Sequence, residues 1–158
     1  MISTFKSKRT EKSEVIWIYG KSGVGKTRYV FEKEKDLWMS GKDLTWWDGY
    51  EQQEAVLLDD FRGDFCKFHT LLRILDRYPY RVEIKGSSIE FNSQKIYITS
   101  CYHPKDVYQK NEEDVKQLLR RIDKIYKCKS GGRLIEKTDS ESADNSDSII
   151  LDTAEIEL

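Results

Sequence analysis

Cysteine is scarce in this chain of 158 residues: Cys66, Cys101 and Cys128 stand far apart, with no Cys-x-x-Cys pair and no Cys/His spacing of a metal site. An odd number of isolated thiols excludes a disulfide framework, makes zinc unexpected, and suits a reducing compartment, cytosolic or nuclear. The two histidines, His69 and His103, are solitary. Long apolar runs are also missing, and the first fourteen residues are polar and basic with no apolar stretch of the kind a secretory leader needs. A soluble, intracellular protein without membrane partners is expected. The near-absence of net charge, −1 overall, is deceptive. Residues 139–158 hold seven acids and neither Lys nor Arg, so the rest carries an excess of about six positive charges, which permits a polyanionic partner.

What the chain does have is concentrated at residues 20–27, Gly20, Lys21, Ser22, Gly23, Val24, Gly25, Lys26 and Thr27. This is a complete Gly-x-x-x-x-Gly-Lys-Thr loop, preceded by the apolar run Val15-Ile16-Trp17-Ile18-Tyr19 and followed by helix-compatible sequence. Chance yields such a pattern in about one in 200 chains of this length, before any strand and helix are required around it. The glycines let successive backbone N–H groups turn inward toward phosphate oxygens, and the following helix aims its positive end at them. Lys26 then reaches the β- and γ-phosphates and Thr27 the magnesium, so the expected ligands are ATP and Mg²⁺.

Along the rest of the chain, 1–13 read as a linker or frayed end, 14–130 as one domain, and 131–158 as an acidic, disordered tail. Residues 27–39 support a helix. Ala55, Val56, Leu57 and Leu58 form a short apolar run that suits a buried strand. A helix is expected over 68–78, stopping at Pro79, then a hairpin whose arms flank Lys85-Gly86-Ser87-Ser88, and a strand over 95–99. A last helix is expected over 114–127, with Val115, Leu118, Leu119, Ile122 and Ile125 inward. Strands alternating with helices predict an α/β fold, a mostly parallel sheet with the loop after its first strand.

In such a sheet the carboxyl ends of neighbouring strands share one crevice, so Asp59 and Asp60, ending the second apolar strand, can face the triphosphate. One acid would hold magnesium beside Thr27 and the other would orient the attacking water. Ser100, at the end of the strand over 95–99, could contact the γ-phosphate or that water. Arg120 and Arg121, on the last helix, could reach a neighbouring subunit's phosphate. Trp46, Trp47 and Tyr50 could stack on bases, though packing is the commoner role of aromatic residues beside glycine.

Several segments together carry a resemblance. The loop, Trp46-Trp47-Asp48-Gly49-Tyr50, Val56-Leu57-Leu58-Asp59-Asp60-Phe61, Leu75-Asp76-Arg77-Tyr78-Pro79, Val82-Glu83-Ile84-Lys85-Gly86, Ile98-Thr99-Ser100 and Leu119-Arg120-Arg121-Ile122 occur in this order. Over roughly 14–128 the chain resembles the superfamily 3 helicase domain of circovirus-type replication initiators. The resemblance implies a P-loop ATPase of the AAA+ kind, a homo-hexameric ring that drives 3′-to-5′ DNA unwinding in rolling-circle replication, in a host nucleus if viral. It implies that residues 20–27 hold ATP, that Asp59 and Asp60 serve magnesium and water, and that Lys85, Gly86 and Ser87 form a hairpin tip gripping single-stranded DNA in the channel. An ammonium on a glycine-softened turn can follow phosphates without reading bases.

Two departures from the family pattern shape the expectation. Relatives commonly carry Asn where this chain has Cys101, and a thiol is a weak donor and acceptor, so either Ser100 positions the water or hydrolysis is slowed. The initiators' nuclease domain has no counterpart in the segment before the fold, and Tyr102-His103-Pro104-Lys105 matches its nucleophile pattern at the wrong place, so no nicking is expected. Alternatives are an ATP-dependent DNA-binding or assembly module with slow hydrolysis, and a P-loop kinase, whose arginine-bearing lid has no match in this order of elements.

Overall fold

A computed structural model describes residues 8–137 and 149–151. Its centre is a seven-stranded sheet in the order β2-β3-β6-β1-β7-β8-β9. The strands are β1 (Glu14–Tyr19), β2 (Leu37–Met39), β3 (Ala55–Leu58), β6 (Lys95–Ser100), β7 (Lys124–Lys129), β8 (Arg133–Lys137) and β9 (Ile149–Leu151). From β2 to β7 every pairing is parallel, and β8 and β9 add on antiparallel. Helices α1 (Lys26–Lys33), α2 (Phe68–Ile74) and α3 (Glu112–Arg120) connect the parallel strands, and β4 (Arg81–Ile84) with β5 (Ser87–Glu90) forms a separate two-stranded hairpin. The expected mixed α/β fold with a mostly parallel sheet is present.

The central strands are apolar on both faces because both faces are covered. Val15, Trp17, Val56, Leu58, Ile96, Ile98 and Ile125 face one way, joined by Leu71 and Ile74 of α2, Leu118 of α3 and the hairpin's Val82 and Ile89. The alternate residues Ile16, Ile18, Ala55, Leu57, Tyr97 and Tyr126 face the other, against Tyr29 and Val30 of α1. That two-residue alternation decides which side chains continue toward α1 at each strand's end.

Four boundaries differ from the sequence reading. The helix expected over 27–39 stops at Lys33, and Leu37–Met39 leaves it to pair with β3. The α2 helix stops at Ile74, short of the expected Tyr78. The helix expected over 114–127 begins earlier, where Asn111 Oδ1 accepts from the Asp114 N–H, and ends at Arg120. Its last apolar residue, Ile125, lies instead in β7. The segment expected as a tail from 131 contributes Arg133–Lys137 to the sheet, with Leu134 and Ile135 fully buried. Residues 138–148 and 152–158 of that expected tail, and 1–7 of the expected linker, lie outside the described residues.

Within that linker Arg9 is anchored, only 6% exposed. Its guanidinium donates from Nε to Tyr78 O at 2.8 Å, and from its two terminal nitrogens to Ile74 O at 2.7 Å and Arg73 O at 2.8 Å. It also lies over the Phe91 ring at 5.1 Å. At the end of α2 the Asp76 N–H already donates to Arg73 O at 3.3 Å, and a cation distant in sequence adds donors there and to Ile74 O. Order therefore begins ahead of β1.

Candidate nucleotide site

The loop between β1 and α1 is held at both ends. Gly20 N–H donates to Ser100 O at 3.0 Å, and Tyr29 N–H to Gly25 O at 3.0 Å, which starts α1. Two glycines are obligatory on geometry. A Cβ at Gly20 would sit 2.4 Å from the Cys128 carbonyl oxygen, and Gly25 takes φ 106° as it enters the helix. Lys26 folds back so that Nζ donates to Gly20 O at 2.7 Å and Lys21 O at 2.8 Å, placing the ammonium over the loop's mouth.

Facing the loop is a cluster of oxygens. Thr27 Oγ1 donates to Asp59 Oδ1 at 2.6 Å, and Thr99 Oγ1 donates to the same carboxylate oxygen at 2.9 Å. Thr99 Oγ1 in turn accepts from the Asp60 N–H at 2.9 Å, while the Asp59 N–H donates to Ser40 Oγ at 3.0 Å. Asp60 adopts the left-handed φ of 54°, which breaks the strand's alternation and turns its carboxylate outward to Arg62 at 3.3 Å. The two adjacent acids thus have different surroundings: Asp59 is fixed by two hydroxyls, and Asp60 stands at the exposed rim. The donor set of carboxylate and hydroxyl oxygens is hard, which fits magnesium better than a soft metal.

Ser100 stands elsewhere than the sequence reading expected. It is 0% exposed; its hydroxyl donates to Phe61 O at 2.8 Å and accepts from the Tyr102 N–H at 3.1 Å. Alternation along β6 is the cause, since Tyr97 and Thr99 point toward α1 and Ser100 points away. Cys101 is the residue that meets the loop, its Sγ 3.8 Å from Ser22 Oγ. Thr99 was missed among the site residues, although counting by twos from Leu57 and Tyr97 puts Asp59 and Thr99 on one face. On the other flank, burial pushes the Cys128 thiol up against the opposing pull of Lys26, and its Sγ lies 3.7 Å from Val24 O.

Arg120 and Arg121 are not brought to this cluster. They precede β7, which runs parallel to β1, so they lie at the sheet's amino edge while the loop lies at its carboxyl edge. Arg121 is 18% exposed; it donates to Asp76 Oδ2 at 3.1 Å and to Gln117 O at 2.7 Å. Burial opposes ionisation of Asp76, but the Arg77 N–H and the Arg121 guanidinium outweigh it and hold the carboxyl below its ordinary range. Arg120 is exposed, with one bond to Gln117 Oε1 at 2.6 Å.

Lys85, Gly86 and Ser87 are exposed at the hairpin's tip, where Gly86 has φ 80°. Val82 and Ile89 root the hairpin in the core, and the Trp47 N–H donates to Glu83 O at 2.8 Å. Trp47 stacks on Trp38 with centroids 4.6 Å apart and meets Tyr50 edge-on. Those two aromatics are core, while Trp46 beside them is 57% exposed. Among the described residues no group of three or more His, Cys, Asp or Glu could hold a metal, all three cysteines are free, and no helix is long and apolar enough to cross a membrane.

A family model described as RNA helicase matches residues 16–102. The chain is 45% identical over 116 residues to the replication-associated protein of canary circovirus, covering 73% of this chain and 39% of that protein. For the replication-associated protein of goose circovirus the figures are 48% over 117 residues, 72% and 38%. For that of porcine circovirus 1 they are 37% over 127 residues, 78% and 40%. The chain therefore spans about two fifths of the length of these curated relatives. The helicase match encloses the loop and the acidic strand end, and this chain belongs to the RNA helicase family, the superfamily 3 helicase domain, and is a relative of circovirus replication-associated proteins.

Proposed function

We propose that this domain is a magnesium-dependent ATP hydrolase of AAA+ type that moves single-stranded DNA, 3′-to-5′, through a ring of identical subunits during replication of a circular genome. The observation that carries the reading is the bonded set Thr27, Asp59 and Thr99 at the loop's mouth. Residues 20–27 bind the phosphates through inward N–H groups, and Lys26 neutralises charge developing between the β and γ positions. Thr27 and Asp59 would hold magnesium, which would offset phosphate charge when bound. Thr99 keeps Asp59 oriented for that task, while Asp60 at the rim takes the proton of the attacking water or orients it. The neighbour's Arg120 completes the site, and Lys85 on the hairpin tip grips DNA phosphates. Host nuclear action follows from replication of such DNA, as an expectation of the same reading.

Cys101 favours a second reading, an ATP-bound assembly module with slow turnover, because the atom opposite Ser22 is a weakly bonding sulfur. ATPase assays with and without single-stranded DNA, over a range of protein concentrations, separate the two. Turnover per subunit that rises with concentration and with DNA supports the motor. Slow turnover that is indifferent to both supports the module.

A further inference from the structure

Asp59 and Asp60 follow the last residue of β3, so their N–H groups lie beyond the strand. Each is accepted by a side-chain hydroxyl: the Asp59 N–H by Ser40 Oγ at 3.0 Å and the Asp60 N–H by Thr99 Oγ1 at 2.9 Å. The two hydroxyls have different footings. Thr99 belongs to β6, which is paired on both sides, whereas Ser40 directly follows β2, a strand of three residues at the sheet's edge whose one partner among the described residues is β3. Ser40 is 8% exposed, and its own N–H donates to Leu57 O at 2.9 Å, so the place of its hydroxyl is set by where β2 lies.

From Ser40 a chain of contacts runs to the hairpin. Trp38, on the same short strand, is buried flat against Trp47, with ring centroids 4.6 Å apart and planes 6° from parallel, and its Nε1 donates to Asp48 O at 2.8 Å. Trp47, also buried, donates its backbone N–H at 2.8 Å to the carbonyl of Glu83 in β4, the strand that leads to Lys85. Side chains packed this closely pass a displacement on, because there is no void to absorb it. We infer that Ser40 is a positioning residue for the two acids, and that the contacts from Glu83 through Trp47, Trp38 and Ser40 to Asp59 carry engagement of DNA at the hairpin to the hydrolytic site; the inference rests on the motor reading above. A shift of β4 moves Trp47, then Trp38, then the hydroxyl that holds the Asp59 N–H, while Thr99 keeps Asp60 tied to β6. The disposition of one acid against the other thereby answers to DNA.

The test is steady-state ATPase turnover at saturating ATP with and without single-stranded DNA, beside DNA binding by fluorescence anisotropy and thermal unfolding. In the unmodified protein DNA should raise turnover. Ser40→Ala should lower that stimulation by about two- to tenfold, the factor that one lost neutral hydrogen bond represents, with the affinities for DNA and Mg·ATP little changed. Ser40→Thr, which keeps the hydroxyl, should retain the stimulation. Trp38→Leu breaks the ring stack further along the chain of contacts and should lower the stimulation as well; if that variant does not fold, the two Ser40 variants still decide. A hydroxyl that only held the fold would change turnover by the same factor with and without DNA. That result, or full stimulation in Ser40→Ala, would overturn the inference while leaving the motor reading intact. An unmodified protein that DNA does not stimulate would remove the motor reading, and the inference with it.

Discussion

The two edges of the sheet solve different problems with the same residue types. At the carboxyl edge, Asp59 is bonded to two hydroxyls with no guanidinium among those bonds, so its charge is oriented and left for a cation. At the amino edge, Asp76 is bonded to Arg121 and Arg9 is bonded to three carbonyls, so their charges are spent on holding helix ends in place. A carboxylate positioned by neutral groups is available for chemistry, and one held by a largely buried arginine is mostly architecture, whereas the Asp60–Arg62 pair is solvent-exposed on both sides and holds neither charge firmly. The comparison says where substitutions should strike turnover and where they should strike folding.

The largest effect should come from Lys26→Ala, which removes the ammonium over the loop's mouth. Hydrolysis should fall by about 10³-fold or more while the melting temperature hardly moves, as read by steady-state ATPase and thermal unfolding. Unchanged turnover would remove the distinction between the edges. Arg9→Met, at the other edge, should do the opposite. Taking the guanidinium from Arg73 O and Ile74 O at the end of α2 and from Tyr78 O just past it should cost about 2–4 kcal/mol in urea unfolding, with little effect on turnover per folded molecule.

A sharper contrast lies between neighbours on β6. Thr99→Val should lower kcat about 10–100-fold with ATP binding retained, because it frees Asp59 from its orienting hydroxyl. Ser100→Ala should leave kcat nearly unchanged and cost about 1–2 kcal/mol of stability, since it strips a buried donor from Phe61 O. If Ser100→Ala is the more damaging to kcat, the face assignment is wrong. The smallest effect is expected from Lys85→Ala on the exposed tip. Single-stranded DNA affinity should drop a few-fold and its logarithmic salt slope by about one, with DNA-free ATPase unaffected.

The carboxyl edge was largely legible in the sequence because its signals are local. A glycine-rich loop after an apolar run, and two acids ending another, each occupy a few consecutive residues. The hairpin was legible for the same reason. What escaped were elements whose local pattern imitates its neighbour: Leu37 and Trp38 extend the apolar pattern of α1, and Ile122 and Ile125 continue the spacing of Leu118 and Leu119. In β7 the alternation of Ile125 against Tyr126 and Cys128 between the two core clusters was the available signal. Arg9 carried none, since its partners are more than 60 residues away and are backbone atoms. Ser100 was misplaced because proximity along the chain was read in place of the two-residue alternation that turns Thr99 toward Asp59.

The central claim is that one subunit's carboxyl edge and its neighbour's amino edge form a single site, and mixing tests it most directly. Lys26→Ala protein lacks a working loop but still offers Arg120; Arg120→Ala protein lacks that arginine but keeps its loop and the Arg121–Asp76 pair. An arginine supplied between subunits is worth roughly 10³ to 10⁵ in rate in other phosphate-loop enzymes, so each protein alone should be nearly inactive. The mixture should recover a measurable fraction of the parent's ATPase, rising with total concentration. A mixture that stays inactive, beside a parent whose activity per subunit is flat on dilution, would contradict the shared site.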